Sequence, residues 1–320
     1  MVDGFINFNL NEKTPTIIKV IGVGGGGGNA VEYMYEKGIC DVDFVICNTD
    51  YQALRNSPIP CKIQLGKELT AGHGAGNNPA MGEKSAQESL ADIEAILKKD
   101  TRMAFITAAM GGGTGTGAAP VIARLSKDMG ILTVGIVSVP ARFEGPKRLD
   151  QARDGLRRLK DHVDCLIVID NEKIKSIYGS QTISQAFAKA NDVLNIAAKG
   201  IAEIITLPGY INVDFADVRT VMTDSGVAIM GAAQASGEDR AIRAITEALE
   251  SPLLNNNDIL GAKDILLNIT SGTDEITMDE MSQITSHIIR KVGNNAAVIW
   301  GVGTDPDLGD AVSVTIIATG

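Results

Sequence analysis

The sequence predicts a doubly wound α/β domain with a mostly parallel sheet, joined by a long central helix to a smaller α+β domain. Two observations support this prediction. Apolar strand-like runs alternate with helix-like stretches in the first half, and one long amphipathic helix follows them. A chain of 320 residues is long enough for two packed cores. We expect a flexible arm over residues 1–15, the first domain over 16–180, the central helix over 181–208 and the second domain over 209–320.

Five apolar runs in the predicted first domain are rich in Val, Ile and small residues and lack polar alternation. Strands that are buried on both faces of a parallel sheet have this composition. The predicted strands are Ile17–Ile21, Asp43–Cys47, Met103–Ala108, Ile131–Val137 and Cys165–Ile169. The predicted helices between them are Asn29–Lys37, Glu83–Lys98, Ala118–Lys127 and Leu149–Leu159. This alternation is typical of right-handed β-α-β units.

The predicted central helix begins at a capping box, Thr182 to Gln185, and ends before Pro208-Gly209. Its apolar residues recur at helical spacing, which gives one apolar face over about six turns. Beyond it, the predicted strands are Asp217–Thr223, Ile265–Thr270, Ala296–Val302 and Ser313–Ala318. The predicted helices of this second domain are Arg240–Leu249 and Met278–Lys291.

The composition is that of an ordinary globular protein, with 44% hydrophobic and 21% charged residues. A formal net charge of -10 argues against non-specific binding to nucleic acid or to an anionic membrane surface. No apolar run approaches the roughly 18 residues of a membrane span, so we expect a cytoplasmic protein that does not insert into membranes. Four cysteines without a CxxC pair, and three scattered histidines, predict free thiols and no structural metal site.

The most informative segment is Gly111–Gly117, in which five glycines and two threonines occupy seven positions. It follows an apolar strand-like run and precedes a helix-like stretch. Without Cβ atoms the backbone can lie close to a ligand, and the free N–H groups and dipole of a helix N-terminus attract an anion. The segment therefore predicts a phosphate-binding loop.

A second glycine cluster, Gly22–Asn29, also follows a strand-like run and opens a helix-like stretch. Its Gly22-x-Gly24-x-x-Gly27 pattern fits the dinucleotide fingerprint, and Asp43 and Asp50 lie near the distance of the ribose-binding acid. A nicotinamide-dependent oxidoreductase is therefore an alternative interpretation. A dinucleotide fold needs only one such loop, whereas two loops on neighbouring strands can hold a di- or triphosphate from both sides. The chain has no Walker A sequence.

A third glycine-rich segment, Ala71–Pro79, is either a flexible connection or a loop near a terminal phosphate. In the charged turn Phe143–Arg148, Glu144 can accept hydrogen bonds from ribose hydroxyls and Arg148 can meet a phosphate or a base. The alternative for this turn is a solvated surface loop.

Phe187 and Asn191 lie one turn apart on the predicted central helix, so an aromatic face and an amide can stack on a base and read its edge. Alternatively, Phe187 only extends the apolar face. Asp214 and Asp217, with Asn212 just before them, can orient a water or approach Mg²⁺. Taken alone, such acids more often form the first turn of a helix.

Taken together, these motifs resemble the FtsZ family, the bacterial cell-division GTPases of the tubulin superfamily. The resemblance runs from about Ile18 to Gly320. It rests on Gly24–Asn29, Asn48-Thr49-Asp50, Gly111–Gly117, Phe143-Glu144-Gly145, Arg148, Asn212–Asp217 and the closing segment Ile299-Trp300-Gly301 to Thr319-Gly320. The chain departs from the family pattern at some positions, for example with Ala109 where glycine is usual.

The resemblance implies that the first domain binds GTP or GDP, with Mg²⁺ held by phosphates and water and not by protein side chains. It implies that Glu144 and Arg148 contact the ribose and the nucleotide, that Phe187 stacks on guanine and that Asn191 reads it. The implied phosphate-binding residues are Gly25, Gly26, Gly27, Gly28, Asn29, Gly112, Gly113, Thr114, Gly115 and Thr116.

The resemblance also implies that the next subunit of a head-to-tail filament completes the site. There Asn212, Asp214 and Asp217 would meet the γ-phosphate and position the attacking water. Further copies of the chain are thus the implied partners, together with division-ring and membrane-tether proteins that bind at mid-cell through a C-terminal tail absent after Gly320. A filament protein that binds nucleotide without hydrolysing it remains a further alternative.

Overall fold

The computed structural model describes residues 16–39, 41–206, 211, 213–250, 259, 261–293 and 296–320. The predicted arm over residues 1–15 and the candidate residue Asn212 lie outside these ranges. No helix in the described ranges is both long enough and apolar enough to cross a bilayer.

The larger sheet is a parallel sheet of seven strands, six of them between residues 18 and 170 and the seventh at residues 226–227. The strands are β1 (Ile18–Val23), β2 (Val42–Asn48), β3 (Cys61–Gln64), β4 (Met103–Ala109), β5 (Leu132–Val139), β6 (Cys165–Asp170) and β7 (Gly226–Val227). Their spatial order is β3-β2-β1-β4-β5-β6-β7, and every neighbouring pair is parallel. The chain therefore winds outward in two directions from the adjacent strands β1 and β4, as the sequence predicts.

Helices cover both faces of this sheet. They are α1 (Gly24–Lys37), α2 (Tyr51–Asn56), α3 (Lys67–Thr70), α4 (Pro79–Glu88), α5 (Leu90–Leu97), α6 (Thr114–Asp128), α7 (Pro146–Lys160), α8 (Asn171–Tyr178) and α9 (Ile183–Thr206). Helices α1 and α9 bury their apolar side chains against one face, whereas α4, α5, α6 and α7 cover the other. The two faces form separate cores, which is the arrangement of a doubly wound fold.

The second half of the chain forms a mixed sheet of four strands. Its elements are α10 (Phe215–Met222), β8 (Ile229–Ala235), α11 (Arg240–Leu249), β9 (Asp264–Ser271), α12 (Met278–Val292), β10 (Ala297–Thr304) and β11 (Val312–Thr319). The strand order is β10-β9-β11-β8, in which β10 and β9 are parallel and β11 is antiparallel to both its neighbours. Helices α11 and α12 pack on one face. The predicted fold class is thereby confirmed.

Helix α9 connects the two halves. Its buried residues, among them Leu194 and Ile201, belong to the same apolar core as the strands of the first sheet. That core also contains Leu266 of β9 and Ile317 of β11. One helix thus packs against both sheets, so a displacement of one sheet relative to the other must be accommodated along α9.

One predicted strand is wrong. The segment Asp217–Thr223 is mostly helical, because α10 spans Phe215–Met222. Its apolar residues Val218, Val221 and Met222 follow helical spacing and are buried. Its branched residues favoured a strand locally, but the cap that Asp214 supplies and the burial of one helical face decide the outcome.

Helix boundaries also differ from the prediction. The predicted helix Glu83–Lys98 is two helices, α4 and α5, which meet at Ser89. Helices α1 and α6 begin at Gly24 and Thr114, earlier than predicted, so both glycine segments form the first turn of a helix. Glycine in a helix interior destabilises the helix by roughly 1 kcal/mol relative to alanine, so the sequence alone predicts loops at the glycine runs.

A buried arginine organises the second domain. The Arg240 side chain is 6% exposed, and its guanidinium donates to both carboxylate oxygens of Glu280, at 2.7 and 3.2 Å, and to Asp274 Oδ2 at 2.9 Å. It also donates to three backbone carbonyl oxygens, those of Asp274, Glu275 and Asp310. The hydrogen bond from Arg240 lowers the pKa of Glu280 to about 2, despite partial burial, which acts in the opposite direction. One cation therefore links α11, the start of α12 and the loop before β11.

We expect Glu280→Gln to lower the free energy of unfolding by about 2 to 3 kcal/mol at neutral pH, because the charged partner of a buried guanidinium is lost. The pKa of Glu280 lies below its ordinary value in the folded state, so its contribution is present above pH 4.5 and is lost as the pH falls towards 2. Urea unfolding followed by circular dichroism across this range measures both effects. Glu247→Gln on the exposed face of α11 is the control, and a pH-independent difference would contradict the assignment.

Candidate functional site

The two glycine segments meet at one edge of the parallel sheet. Strand β1 leads into α1 and the neighbouring strand β4 leads into α6, and these helices lie on opposite faces of the sheet. A crevice opens at the carboxyl ends of such strands, where the winding direction reverses, and it is the usual ligand site of this fold class. The sequence order of the elements thus places both helix N-termini at one cleft.

A cleft of about 450 Å³ lies at this edge. Predicted site residues line it on every side, and they come from both glycine segments, the charged turn and α9. They are Gly25, Gly26, Asn29, Gly112, Gly113, Thr114, Gly115, Glu144, Arg148, Phe187 and Asn191. Three other predicted residues, Gly27, Gly28 and Thr116, do not line it.

The two glycine segments touch each other directly. Gly24 has a positive φ of 74°, and a Cβ atom there would lie 2.8 Å from the backbone nitrogen of Gly115. A Cβ atom on Gly26 would lie 2.4 Å from the Cβ of Ala109, so the alanine that departs from the family pattern sits against a position that must be glycine. Both contacts require a residue without a Cβ atom. These close contacts fix the spacing of the two helix N-termini.

Hydrogen bonds hold the second glycine segment in place from within. The Thr116 hydroxyl accepts from the Gly111 N–H at 2.8 Å, and Thr116 is buried. The Thr114 hydroxyl shares a 2.7 Å hydrogen bond with Thr49. Gly27 is also buried and packs against the backbone of Thr107. Thr116 and Gly27 thus support the loops internally, and whether either contacts a ligand stays a prediction.

The third glycine-rich segment, Ala71–Pro79, lies beside the second. A Cβ atom on Gly113 would meet the backbone nitrogen of Asn78 at 2.8 Å and the Cβ of Ala75 at 2.9 Å. The segment is also tied to the loop after β2, where Asp50 forms an isolated β-bridge with His73. It therefore buttresses the second segment, and proximity to a terminal phosphate stays a prediction.

The charged turn is held to the cleft by carboxylates. Glu144 accepts from the Ala141 N–H at 2.9 Å and from the Arg148 guanidinium at 2.8 Å, and its side chain is largely buried. Glu172 on α8 accepts from the Arg142 N–H at 2.7 Å. This backbone hydrogen bond, followed by the contact with Lys175, lowers the pKa of Glu172. The turn is thus anchored at both ends, with the half-exposed guanidinium of Arg148 at the cleft.

The opposite end of the cleft presents an aromatic ring and amides. Phe187 is 44% exposed and lies in the first turns of α9, before the buried residues of that helix begin at Ala190. Asn191 follows it one turn later on α9. Asn171 lines the same end, and its buried Oδ1 has no hydrogen-bond partner in the described part of the chain. Asn171 is not among the residues predicted from the sequence, where its one signal is its position directly after β6, at the same sheet edge as the glycine segments.

The candidate acids lie away from the cleft. Asp214 caps α10 by accepting from the Asp217 N–H at 2.9 Å, and both residues are exposed. Neither contributes to the lining of the cleft. The structure therefore does not bring these acids together with the glycine segments of the same chain, and the described residues leave Asn212 out.

The two acids considered for a dinucleotide site have other partners. Asp43 stands near the start of β2, at the sheet edge opposite the cleft, and forms a 2.7 Å ion pair with Lys19. Asp50 accepts from the backbone N–H groups of Gln52 and Ala53 and so caps α2. Neither lines the cleft as a ribose-binding acid would.

Side chains suited to a metal ion do not cluster in the described ranges, which contain no group of three or more His, Cys, Asp or Glu residues with suitable geometry. Of the acids, Glu144 alone is among the described residues that line the cleft, and it is already paired.

Two family models match this chain. Residues 17–179 match the GTPase domain of the Tubulin/FtsZ family, and residues 226–320 match the C-terminal domain of the FtsZ family. The first match contains both glycine segments and the charged turn, whereas the second contains the four-stranded sheet.

Individual relatives agree with the family models. A protein named "Cell division protein FtsZ" from Porphyromonas gingivalis is 50% identical over 323 residues, covering 100% of this chain and 70% of that protein. One of the same name from Coxiella burnetii is 48% identical, covering 98% of this chain and 81% of that protein.

Solved structures of FtsZ and of CetZ proteins share the fold of this chain. The structure titled "FtsZ dimer, empty (M. jannaschii)" has a TM-score of 0.89 at 43% identity and covers 96% of this chain and 89% of that one. CetZ2 from Haloferax volcanii shares the fold, with a TM-score of 0.78 at 21% identity over 95% of this chain and 93% of that one. The chain therefore belongs to the FtsZ family, the cytoskeletal GTPases of cell division.

Proposed function

We propose that GTP binds in the cleft between α1 and α6 and is hydrolysed at a site that the next subunit of a head-to-tail filament completes. One observation supports this most strongly. Two glycine-rich helix N-termini converge on a single cleft whose other end carries an exposed aromatic ring and two carboxamides, one with a buried oxygen that has no partner among the described residues. Such a cleft suits an anionic phosphate chain at one end and a base at the other.

At the phosphate end, the backbone N–H groups in the first turns of α1 and α6 have no helical partner and are free to bind phosphate oxygens. Gly25, Gly26, Gly112, Gly113 and Gly115 supply these amides without side chains that would block the approach. The triphosphate thus replaces the water that would otherwise satisfy both helix ends.

At the base end, Phe187 offers a ring face for stacking, and the carboxamides of Asn191 and Asn171 offer both donors and acceptors. The Watson–Crick edge of guanine combines donors and an acceptor, so two carboxamides can match it. The unpartnered Oδ1 of Asn171 gains a hydrogen bond when a base donates to it, which removes the penalty of leaving a buried acceptor unpaired.

Hydrolysis needs a group that orients and activates the attacking water, and the described residues that line the cleft include no free carboxylate. Glu144 is engaged by Arg148 and the Ala141 amide. The exposed pair Asp214 and Asp217 is placed on another surface of the same molecule. We assign these two acids, with Asn212, to the site of the adjoining subunit, a heterologous contact that propagates a filament.

Mg²⁺ would bind to phosphate oxygens and water, since the described residues offer no side-chain cage for it. Bound there, it would offset negative charge on the triphosphate. We further propose that the protein localises to a mid-cell division ring and attaches to tether proteins through a C-terminal tail. The oxidoreductase alternative has no support from the site, because Asp43 and Asp50 are committed elsewhere.

We expect Gly112→Asp to raise the dissociation constant for GTP at least about 100-fold, because it adds a negative charge beside the phosphates. A Cβ atom on Gly112 meets no atom within 4 Å, so the substitution leaves the fold intact. Gly112→Asn has the same size without the charge and should weaken binding less than about tenfold. Titration of fluorescent GTP measures both, and equal losses in the two variants would argue against a phosphate at this position.

We expect Asp214→Asn to lower phosphate release per assembled subunit by about 100-fold or more, with GTP affinity unchanged. Asparagine is as good a helix cap as aspartate, so α10 keeps its start while the carboxylate is lost. Asp92→Asn, at an exposed acid of α5, is the control. Sedimentation combined with a phosphate assay separates assembly from hydrolysis. Undiminished turnover in Asp214→Asn filaments would remove this acid from the mechanism.

A further inference from the structure

Helix α10, which begins with the two acids, is fastened at its far end to α6. The ammonium group of Lys127, in the last turn of α6, donates to Asp224 Oδ1 at 2.6 Å, in the turn that follows α10. The same group lies 3.2 Å from Asp164 Oδ1 and 3.3 Å from the carbonyl oxygen of Val163. Lys127 therefore joins α6, the start of β6 and the end of α10.

Asp164, the second carboxylate beside Lys127, is buried and held by hydrogen bonds. The Asp164 side chain is only 7% exposed, and its Oδ2 accepts from the Thr133 N–H at 2.8 Å. The Asp164 carbonyl oxygen accepts from the Gly226 N–H at 3.1 Å, which ties the turn after α10 to the first sheet. Burial opposes the charge on Lys127, but the hydrogen bond that Lys127 donates to Asp224 and the nearby Asp164 charge raise its pKa on balance. The ammonium group therefore stays protonated.

Two further hydrogen bonds hold the same end of α10. Arg219 of α10 donates to the carbonyl oxygen of Gly130, just beyond α6, at 3.4 Å. The Thr319 hydroxyl of β11 donates to the carbonyl oxygen of Val221 at 3.4 Å. The C-terminal end of α10 is thus held between α6 and the second sheet, whereas its N-terminal end, with Asp214, is exposed.

Helix α6 has a function at each end. Its N-terminus at Thr114 lines the nucleotide cleft, and its C-terminal turn holds Lys127. The helix has 15 residues, so it spans about 22 Å as one rigid element. A shift of its N-terminus on nucleotide binding would be transmitted to its contact with α10.

We propose that Lys127 is a positioning residue. Through its contacts with Asp224 and Asp164, it fixes the position of α10 relative to α6, the helix that binds the chain's own nucleotide. It thereby fixes the position of Asp214 and Asp217 as well. Lys127 contacts no substrate. It acts on the GTP of the neighbouring subunit, through the acids that its own subunit presents there. The inference rests on the proposed function, because it requires those acids to act across the filament contact.

The test compares Lys127→Met and Asp224→Asn with the parent protein. Asp224 has a positive φ of 51°, which asparagine also tolerates, so Asp224→Asn removes only the charge. We expect phosphate release per assembled subunit to fall about threefold in Asp224→Asn and about tenfold in Lys127→Met. GTP affinity and the critical concentration for assembly should stay within about twofold, and Lys127→Arg should restore most of the rate. Lys160→Met, at the end of α7, is the matched control.

The double variant Lys127→Met/Asp214→Asn separates positioning from general weakening. If Lys127 acts through Asp214, the lysine substitution lowers the rate no further once the acid is gone. Multiplied losses, or a parallel loss of GTP affinity, would overturn the inference. Asp214→Asn filaments with full activity would refute the proposed function itself. Slow Asp214→Asn filaments together with fully active Lys127→Met and Asp224→Asn filaments would refute only the positioning role.

Discussion

The direct contact between two backbone segments, Gly24 against Gly115, is the constraint on which the site depends. Strands β1 and β4 are neighbours in the sheet, so the helices that follow them start side by side and then diverge to opposite faces. Any Cβ atom at the contact would push the helix N-termini apart. The free amides of the two helix N-termini therefore face one cleft only because the residues in contact are glycines.

In the proposed mechanism, the same architecture separates nucleotide binding from catalysis. The cleft belongs to the first sheet, whereas the exposed acids stand at the start of α10, which packs between the first sheet and β9. Helix α9 spans both sheets, and α6 runs from the cleft to the far end of α10. In the proposed mechanism, a subunit that has bound GTP is thus connected by packed helices to the acids that it offers to its neighbour. Assembly and hydrolysis then depend on each other without a complete active site in one chain.

Local sequence patterns predicted the fold class and most of the residues that line the cleft, because glycine runs that follow apolar strands lie at the carboxyl ends of a parallel sheet. The patterns gave wrong or incomplete predictions where tertiary contacts determine the local structure. Asp217–Thr223 reads as a strand, but burial of Val218 and Met222 on one side makes it a helix. Asn171 looks like any polar residue after a strand, and only its unpartnered Oδ1 in the folded chain reveals it. Thr116 lies in a segment whose composition predicts ligand binding, yet its hydroxyl accepts a hydrogen bond from the Gly111 N–H within the loop.

The central claim is that one subunit holds the nucleotide and another supplies the acids, and mixing two defective variants tests it most directly. Gly112→Asp subunits keep Asp214 but lose the phosphate site, whereas Asp214→Asn subunits keep the phosphate site. A mixture should release phosphate faster than the sum of the two proteins assayed separately, because mixed contacts restore complete sites. The double variant Gly112→Asp/Asp214→Asn, mixed with Asp214→Asn, should give no recovery. A mixture that only adds the two separate rates at every ratio would contradict the shared site.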